Sequence, residues 1–191
     1  MRQLKTAALV LGVLSLLLGI IYPLVMTGVF QVLFPRRANG SLVRRPPATD
    51  RSSPIAGSAL IGQAFSAPGY FYGRPSDCGY DAAGSGSANL GPSNPALFRQ
   101  VQARIDSVRA ENGLDKTAPV PADLVLSSAS GLDPDISPQA ALIQIVRIAH
   151  TRNLEPARVR RLVELNTRTP LLGPSSVNVL KLNLALDSIA P

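Results

Sequence analysis

The chain has 191 residues, enough for one domain with a short appendage. It is basic, with 19 Lys and Arg against 12 Asp and Glu. The cations are scattered, Trp is absent and only Phe98 sits near the later arginines, which excludes the basic stripe and stacking platform of a nucleic-acid binder.

Residues 1–5 are a short tail carrying Arg2 and Lys5. From Thr6 to Pro35 no residue is charged. A helix of that length spans about 45 Å, more than the roughly 30 Å hydrocarbon core of a bilayer. The run is too long for a secretory signal and has no small-x-small cleavage site, so residues 6–35 are read as a transmembrane helix. Lys5 and Arg36 bracket it, and Tyr22-Pro23 should kink it. At 100° per residue Gly12, Ser15, Gly19 and Pro23 fall in one narrow arc, with Thr27 and Gln31 on its flank. Val10, Leu14, Leu17 and Ile21 lie opposite. Small residues let helix backbones approach in lipid, so this arc is the expected packing face for partner helices. Counting the flank charges would place the domain in the cytoplasm, but large domains cross regardless of them, so the side of the membrane stays open.

Residues 36–56, rich in Arg, Pro and Ser, read as a linker, and 57–191 as one mixed α/β domain outside the membrane. Gly57–Phe65 and Tyr70–Tyr72 are expected strands, and residues 73–95 a long loop. Asn94-Pro95 should cap and open a helix with Leu97, Val101, Ile105 and Val108 on its apolar face and Gly113 as its stop. Leu124–Ser128 reads as a strand. Ser137-Pro138 repeats the helix-start signal, with Leu142, Ile145, Val146 and Ala149 inward, and Glu155-Pro156 starts a third helix with Val159, Leu162 and Val163 inward. Val177–Asp187 alternates like a strand yet is leucine-rich like a helix.

No catalytic residue and no metal ligand set emerge. His150 is the only histidine and Cys78 the only cysteine, which excludes an internal disulfide and both the four-cysteine and the two-cysteine, two-histidine zinc sites within one chain. No Gly-x-Ser-x-Gly elbow and no phosphate loop is present. Asp115-Lys116-Thr117 lacks the Gly-Thr that would complete a P-type ATPase phosphorylation motif, and reads as a solvated turn. Asp133 and Asp135 suit a helix N-terminus better than a metal. A membrane-tethered hydrolase and a stand-alone membrane-anchored binding module remain the competing readings.

A set of blocks in order along nearly the whole chain resembles a known family. They are Tyr22-Pro23-Leu24, Thr27-Gly28, Gln31, Phe34-Pro35, Ala38 to Leu42, Gly57 to Gln63 with Phe65, Tyr70-Phe71 with Gly73-Arg74-Pro75-Ser76, and Asn89 to Pro95. Ala129 to Pro134, Ile136 to Ala141, Gln144 with Arg147, Val177 to Leu180 and Leu182 to Asp187 follow. Each block is weak alone; together they are similar to the KdpC family, the C subunits of the potassium-transporting KdpFABC ATPase. Residues 85–88 and 173–176 depart from the family's pattern. The resemblance implies a non-catalytic accessory subunit in the inner membrane of a bacterium, its large domain on the outer face near the mouth of the potassium pathway. It implies the A, B and F subunits and the bilayer as partners, with the phosphorylated aspartate on B and the ion pathway on A. It further implies a chaperone role that raises the B subunit's affinity for ATP, with no cofactor of the chain's own. A direct ATP contact would fall to Ser130, Gly131 or Gln144 and would need a cytoplasmic domain; an indirect effect through the membrane helices would not.

Overall fold

The computed structural model describes residues 1–45 and 54–189. The middle of the expected linker, residues 46–53, lies outside the described residues. The chain divides into two compact units, Met1–Leu42 and Val43–Pro191.

The first unit is helical. Helix α1 (Arg2–Leu16) passes through a π-turn (Leu17–Ile21) into α2 (Tyr22–Leu33). The 32-residue run Arg2–Leu33 is long and apolar enough to cross a membrane, and none of it is buried within the chain. The irregularity expected at Pro23 takes the form of the π-turn. Proline has no N–H for the Gly19 carbonyl, and Tyr22 N–H donates to Leu17 O, five residues back. Phe34, pushed out of helical geometry ahead of Pro35 (φ −138°), ends α2, and a single turn α3 (Pro35–Ala38) follows. The Gln31 and Asn39 amides bond each other in both directions, at 3.3 and 3.1 Å.

In the second unit, strands β1 (Leu42–Arg44, its first residue closing the other unit) and β2 (Ile55–Ser58) pair. Helix α4 (Pro95–Asn112) begins where the Asn94 side chain accepts a hydrogen bond from Ala96 N–H, and it stops at Gly113, whose φ of 62° is the left-handed conformation glycine adopts at least cost. Its apolar stripe of Leu97, Val101, Ile105 and Val108 is half-buried. A 3-10 turn (Ala122–Leu124) precedes β3 (Asp135–Ile136). Helices α5 (Pro138–Leu142), α6 (Ile145–Thr151) and α7 (Pro156–Asn166) come next, then strands β4 (Thr167–Arg168) and β5 (Ser176–Asn178) and helix α8 (Val179–Ile189). Ser137 caps α5 by accepting from Ala140 N–H at 3.1 Å, and its hydroxyl reaches Asp123 at 3.2 Å.

The three short strands form an antiparallel sheet in the order β3-β5-β4, with Ile136 and Thr167 both opposite Val177. Against it packs a core of Phe71, Ile145, Ile148, Val159, Val163, Leu182 and Leu186. The fold is thus one membrane-length helix followed by a mixed α/β domain, as the sequence implied.

Several local expectations are corrected. The helix opened by Ser137 breaks at Ile143–Gln144, which shifts its phase: Ile148 turns inward and Val146 is 65% exposed. The strand expected over Gly57–Phe65 is confined to β2, which ends at Ser58. Tyr70–Tyr72 and Leu124–Ser128 form no strand at all. The ambiguous tail is both things in succession, strand to Asn178 and helix from Val179.

Candidate functional site

The segments that fail to become strands find their hydrogen-bond partners in side chains. Buried backbone amides must be paired. Phe71, fully buried, donates its N–H to Asn183 Oδ1 (2.8 Å), while its carbonyl accepts from Asn183 Nδ2 (3.0 Å). Tyr72 does the same with Gln144: N–H to Oε1 at 2.8 Å, carbonyl from Nε2 at 3.2 Å. Two buried amide side chains from α8 and from the α5–α6 break therefore replace a neighbouring strand over two consecutive residues.

Arginines extend the arrangement. Arg147 donates to the carbonyls of Pro68 and Tyr70 and to Gln144 Oε1, and lies 4.1 Å over the Tyr72 ring. Burial pushes its guanidinium below the usual arginine value, an effect that Tyr72 and Glu111 oppose. Arg152 donates to Gly69 O (2.6 Å) and pairs with Asp187 (2.8 Å) while stacking 4.4 Å over Tyr70. Arg104 reaches Val125 O (3.1 Å), and Arg74 reaches the carbonyls of Leu126 and Ser127, both at 3.4 Å. These bonds occupy the carbonyls that a ladder along Leu124–Ser128 would have used.

The long loop is ordered from the same side. The Asp77 carboxylate accepts from Ala88 N–H (3.1 Å), from Ser87 (3.3 Å) and from Arg104 (3.1 Å). The Ala88 amide, with Ser127 and Arg104 behind it, holds that carboxyl below its ordinary pKa against the effect of burial. Ser130 O accepts from Gly86 N–H at 2.9 Å and from the Ser85 hydroxyl at 3.0 Å. Gly131 sits beneath this contact with φ 67°, and a Cβ there would meet Cys78 Sγ at 2.5 Å and Gly86 O at 2.7 Å.

These contacts locate the residues tied to ATP by resemblance. Ser130 and Gly131 seat the loop of residues 76–88. Gln144 is 1% exposed, with two acceptor and two donor bonds all inside the fold, counting Ala140 O at 3.0 Å. Gln144 lines a cavity of about 260 Å³ together with Tyr72, Arg74, Tyr80, Arg104 and Glu111; Ser130 and Gly131 do not line it. Arg74 Nε faces no hydrogen-bond partner among the described residues. His150 is exposed on α6, and among the described residues no group of three His, Cys, Asp or Glu could hold a metal.

In the helical unit, Pro23, Thr27 and Gln31 line one groove with Met26, Phe30 and Phe34. Gly12, Ser15 and Gly19 are exposed, and a Cβ on either glycine would meet nothing within 4 Å. The π-turn separates Ser15 from Pro23, and its wider winding advances each residue by less than 100°. The faces before and after it are rotated relative to the straight-helix reading.

Sequence reasoning assigned no role to Arg74, Arg104, Asp77 or Asn183. Arg74 and Asn183 stand inside the quoted blocks, but Asp133, which pairs with Arg74 at 2.9 Å, and Phe71, which Asn183 clamps, lie 59 and 112 residues away from them.

These features define a protein with one membrane-length helix and an α/β domain whose buried carboxamides bond its own backbone. The profile of the family described as "KdpC: K+-transporting ATPase, c chain" matches residues 4–188, and the chain belongs to that family. It is 52% identical over 198 residues to a potassium-transporting ATPase KdpC subunit of Polaromonas naphthalenivorans (strain CJ2), covering 100% of this chain and 97% of the relative. The subunit of that name from Burkholderia vietnamiensis (strain G4 / LMG 22486) is 50% identical over 190 residues, covering 96% and 95% of the two chains. That of Gemmatimonas aurantiaca is 47% identical over 197 residues, covering 100% and 94%.

Proposed function

We propose that the chain is the non-catalytic accessory subunit of an ATP-driven potassium uptake complex in a bacterial inner membrane. It stabilises the assembly of the A, B and F subunits and raises the ATP affinity of the ATP-hydrolysing subunit, acting through its membrane helix. The observation that carries this reading is the full-length family match in a chain whose buried amides are spent on its own backbone. An ATP contact through Gln144 would have to break four internal bonds, which favours the indirect route. ATP belongs to the complex, and no cofactor is assigned to this chain.

The packing face is the test of that route. Because Gly12 and Gly19 have open space around them, a larger side chain there meets nothing in its own chain, and any loss reports a partner. Gly19→Leu should weaken co-purification of the other subunits several-fold, while Leu17→Ala should leave it unchanged. Equal recovery of the subunits by both variants, at normal insertion levels, would reduce the helix to a plain tether. Orientation is tested separately. With the domain on the outer face, protease added to intact spheroplasts should cut the Arg-rich stretch 36–51. Protection until lysis would place the domain inside and reopen a direct nucleotide contact.

A further inference from the structure

The turn between β4 and β5 carries a feature that the accessory role does not use. Leu171 and Leu172 at its tip are 100% and 88% exposed. The turn that displays them is closed and stiff. Arg168 and Ser176 pair at the base, the Thr169 and Ser175 hydroxyls meet at 3.2 Å, and Pro170 and Pro174 restrict the backbone on either side. Ordering two leucines in water therefore costs little on contact with an apolar phase, because the loop is already ordered.

The stretch of chain that carries the tip, from Leu165 to Leu186, is free of acidic residues. Arg158, Arg160, Arg161 and Arg168 are all exposed. Only Arg161 forms an ion pair among the described residues, a solvent-exposed one to Glu164, and such pairs bind weakly. On α7, Arg158, Arg161 and the 68% exposed Leu165 fall on one stripe. Exposed leucines beside unpaired arginines are the composition of a surface that lies on anionic lipid.

We propose that the β4–β5 turn is a second membrane contact, in which Leu171 and Leu172 enter the interface of an anionic bilayer and Arg168 with the α7 arginines meets headgroup phosphates. Two side chains on a convex tip offer far less area than a stable protein interface requires. A bilayer needs no matching socket. The contact is also intramolecular in effect, because the second unit begins at Val43, directly after the unit that holds the membrane-length helix. A weak contact of this kind is amplified by the high local concentration of lipid around an anchored chain.

The test uses the assembled transporter in lipid nanodiscs. Leu172→Cys on a Cys78→Ser background carries an environment-sensitive dye, with Ala103→Cys as a solvent-exposed control. Spin-labelled lipids should quench the dye at 172 several-fold more than at 103 in discs containing phosphatidylglycerol. That difference should shrink several-fold in phosphatidylcholine alone, or when Arg158, Arg161 and Arg168 are all replaced by Gln. Quenching at 172 no greater than at 103 overturns the proposal in either of two ways: iodide access would leave the tip in water, and protection from both quenchers would give it to a partner subunit.

Discussion

Asn183→Leu should lower the stability of the extramembrane domain by about 2–6 kcal/mol. The substitution keeps the branch at Cγ and the number of side-chain heavy atoms but replaces both polar ends by methyls, so the cost is chiefly polar. It strips both the donor and the acceptor from Phe71, whose backbone is buried and has Asn183 as its partner on each side. Each buried group left unsatisfied costs about 1–3 kcal/mol, and no water replaces Asn183 where the residue is 1% exposed. Domains of this size are stable by only about 5–15 kcal/mol, so a large share is at stake. Urea unfolding of the full chain in nanodiscs reads the change as a shift in midpoint at constant slope. A loss under about 1 kcal/mol would mean that Phe71 finds other partners, and that the amide clamp is incidental to the fold.

Gly131→Ala should be nearly as severe, for a different reason. A side chain in the left-handed region costs on the order of 1–3 kcal/mol. The new Cβ would also collide with Cys78 Sγ and Gly86 O, and overpacking of that kind adds about 1–3 kcal/mol. The loop of residues 76–88 should then lift from Ser130 and become the first site of limited proteolysis. Adding Cys78→Ala should recover part of the loss, since the sulfur goes but the carbonyl stays, and a double-mutant cycle separates the two collisions. An unchanged midpoint and cutting pattern for Gly131→Ala would refute the view that this glycine seats the loop.

What the sequence disclosed follows the range of the interactions concerned. The membrane helix and the starts at Asn94-Pro95, Ser137-Pro138 and Glu155-Pro156 were legible because caps, proline and apolar periodicity act within a few residues. The π-turn was not, because a change of winding leaves the residue pattern intact and only rotates its faces. Tyr70–Tyr72 and Leu124–Ser128 have the composition of strands and need partners as strands do. Those partners proved to be Asn183, Gln144, Arg104 and Arg74, lying up to 112 residues away, which no local pattern announces. The tail was ambiguous because strand and helix meet there without a loop. Ser130, Gly131 and Gln144 are singled out by resemblance alone, and the geometry gives them neighbours inside the fold. The exposed leucine pair was in plain view at 171–172, but exposure is a property of the fold and cannot be read from two letters.

The clamp on Phe71 and Tyr72 separates two quantities that usually travel together. A spectroscopist measuring circular dichroism would count this segment as coil, since its φ/ψ run continues into no ladder. Its amide protons are nevertheless held by buried carboxamides, and they should exchange with deuterium as slowly as those of β5. Release of the Phe71 amide requires a side chain on α8 to turn away, so its protection should fall in step with opening of the C-terminal helix, 112 residues along the chain. The two ends of the domain would therefore unfold as one cooperative unit, although no strand joins them.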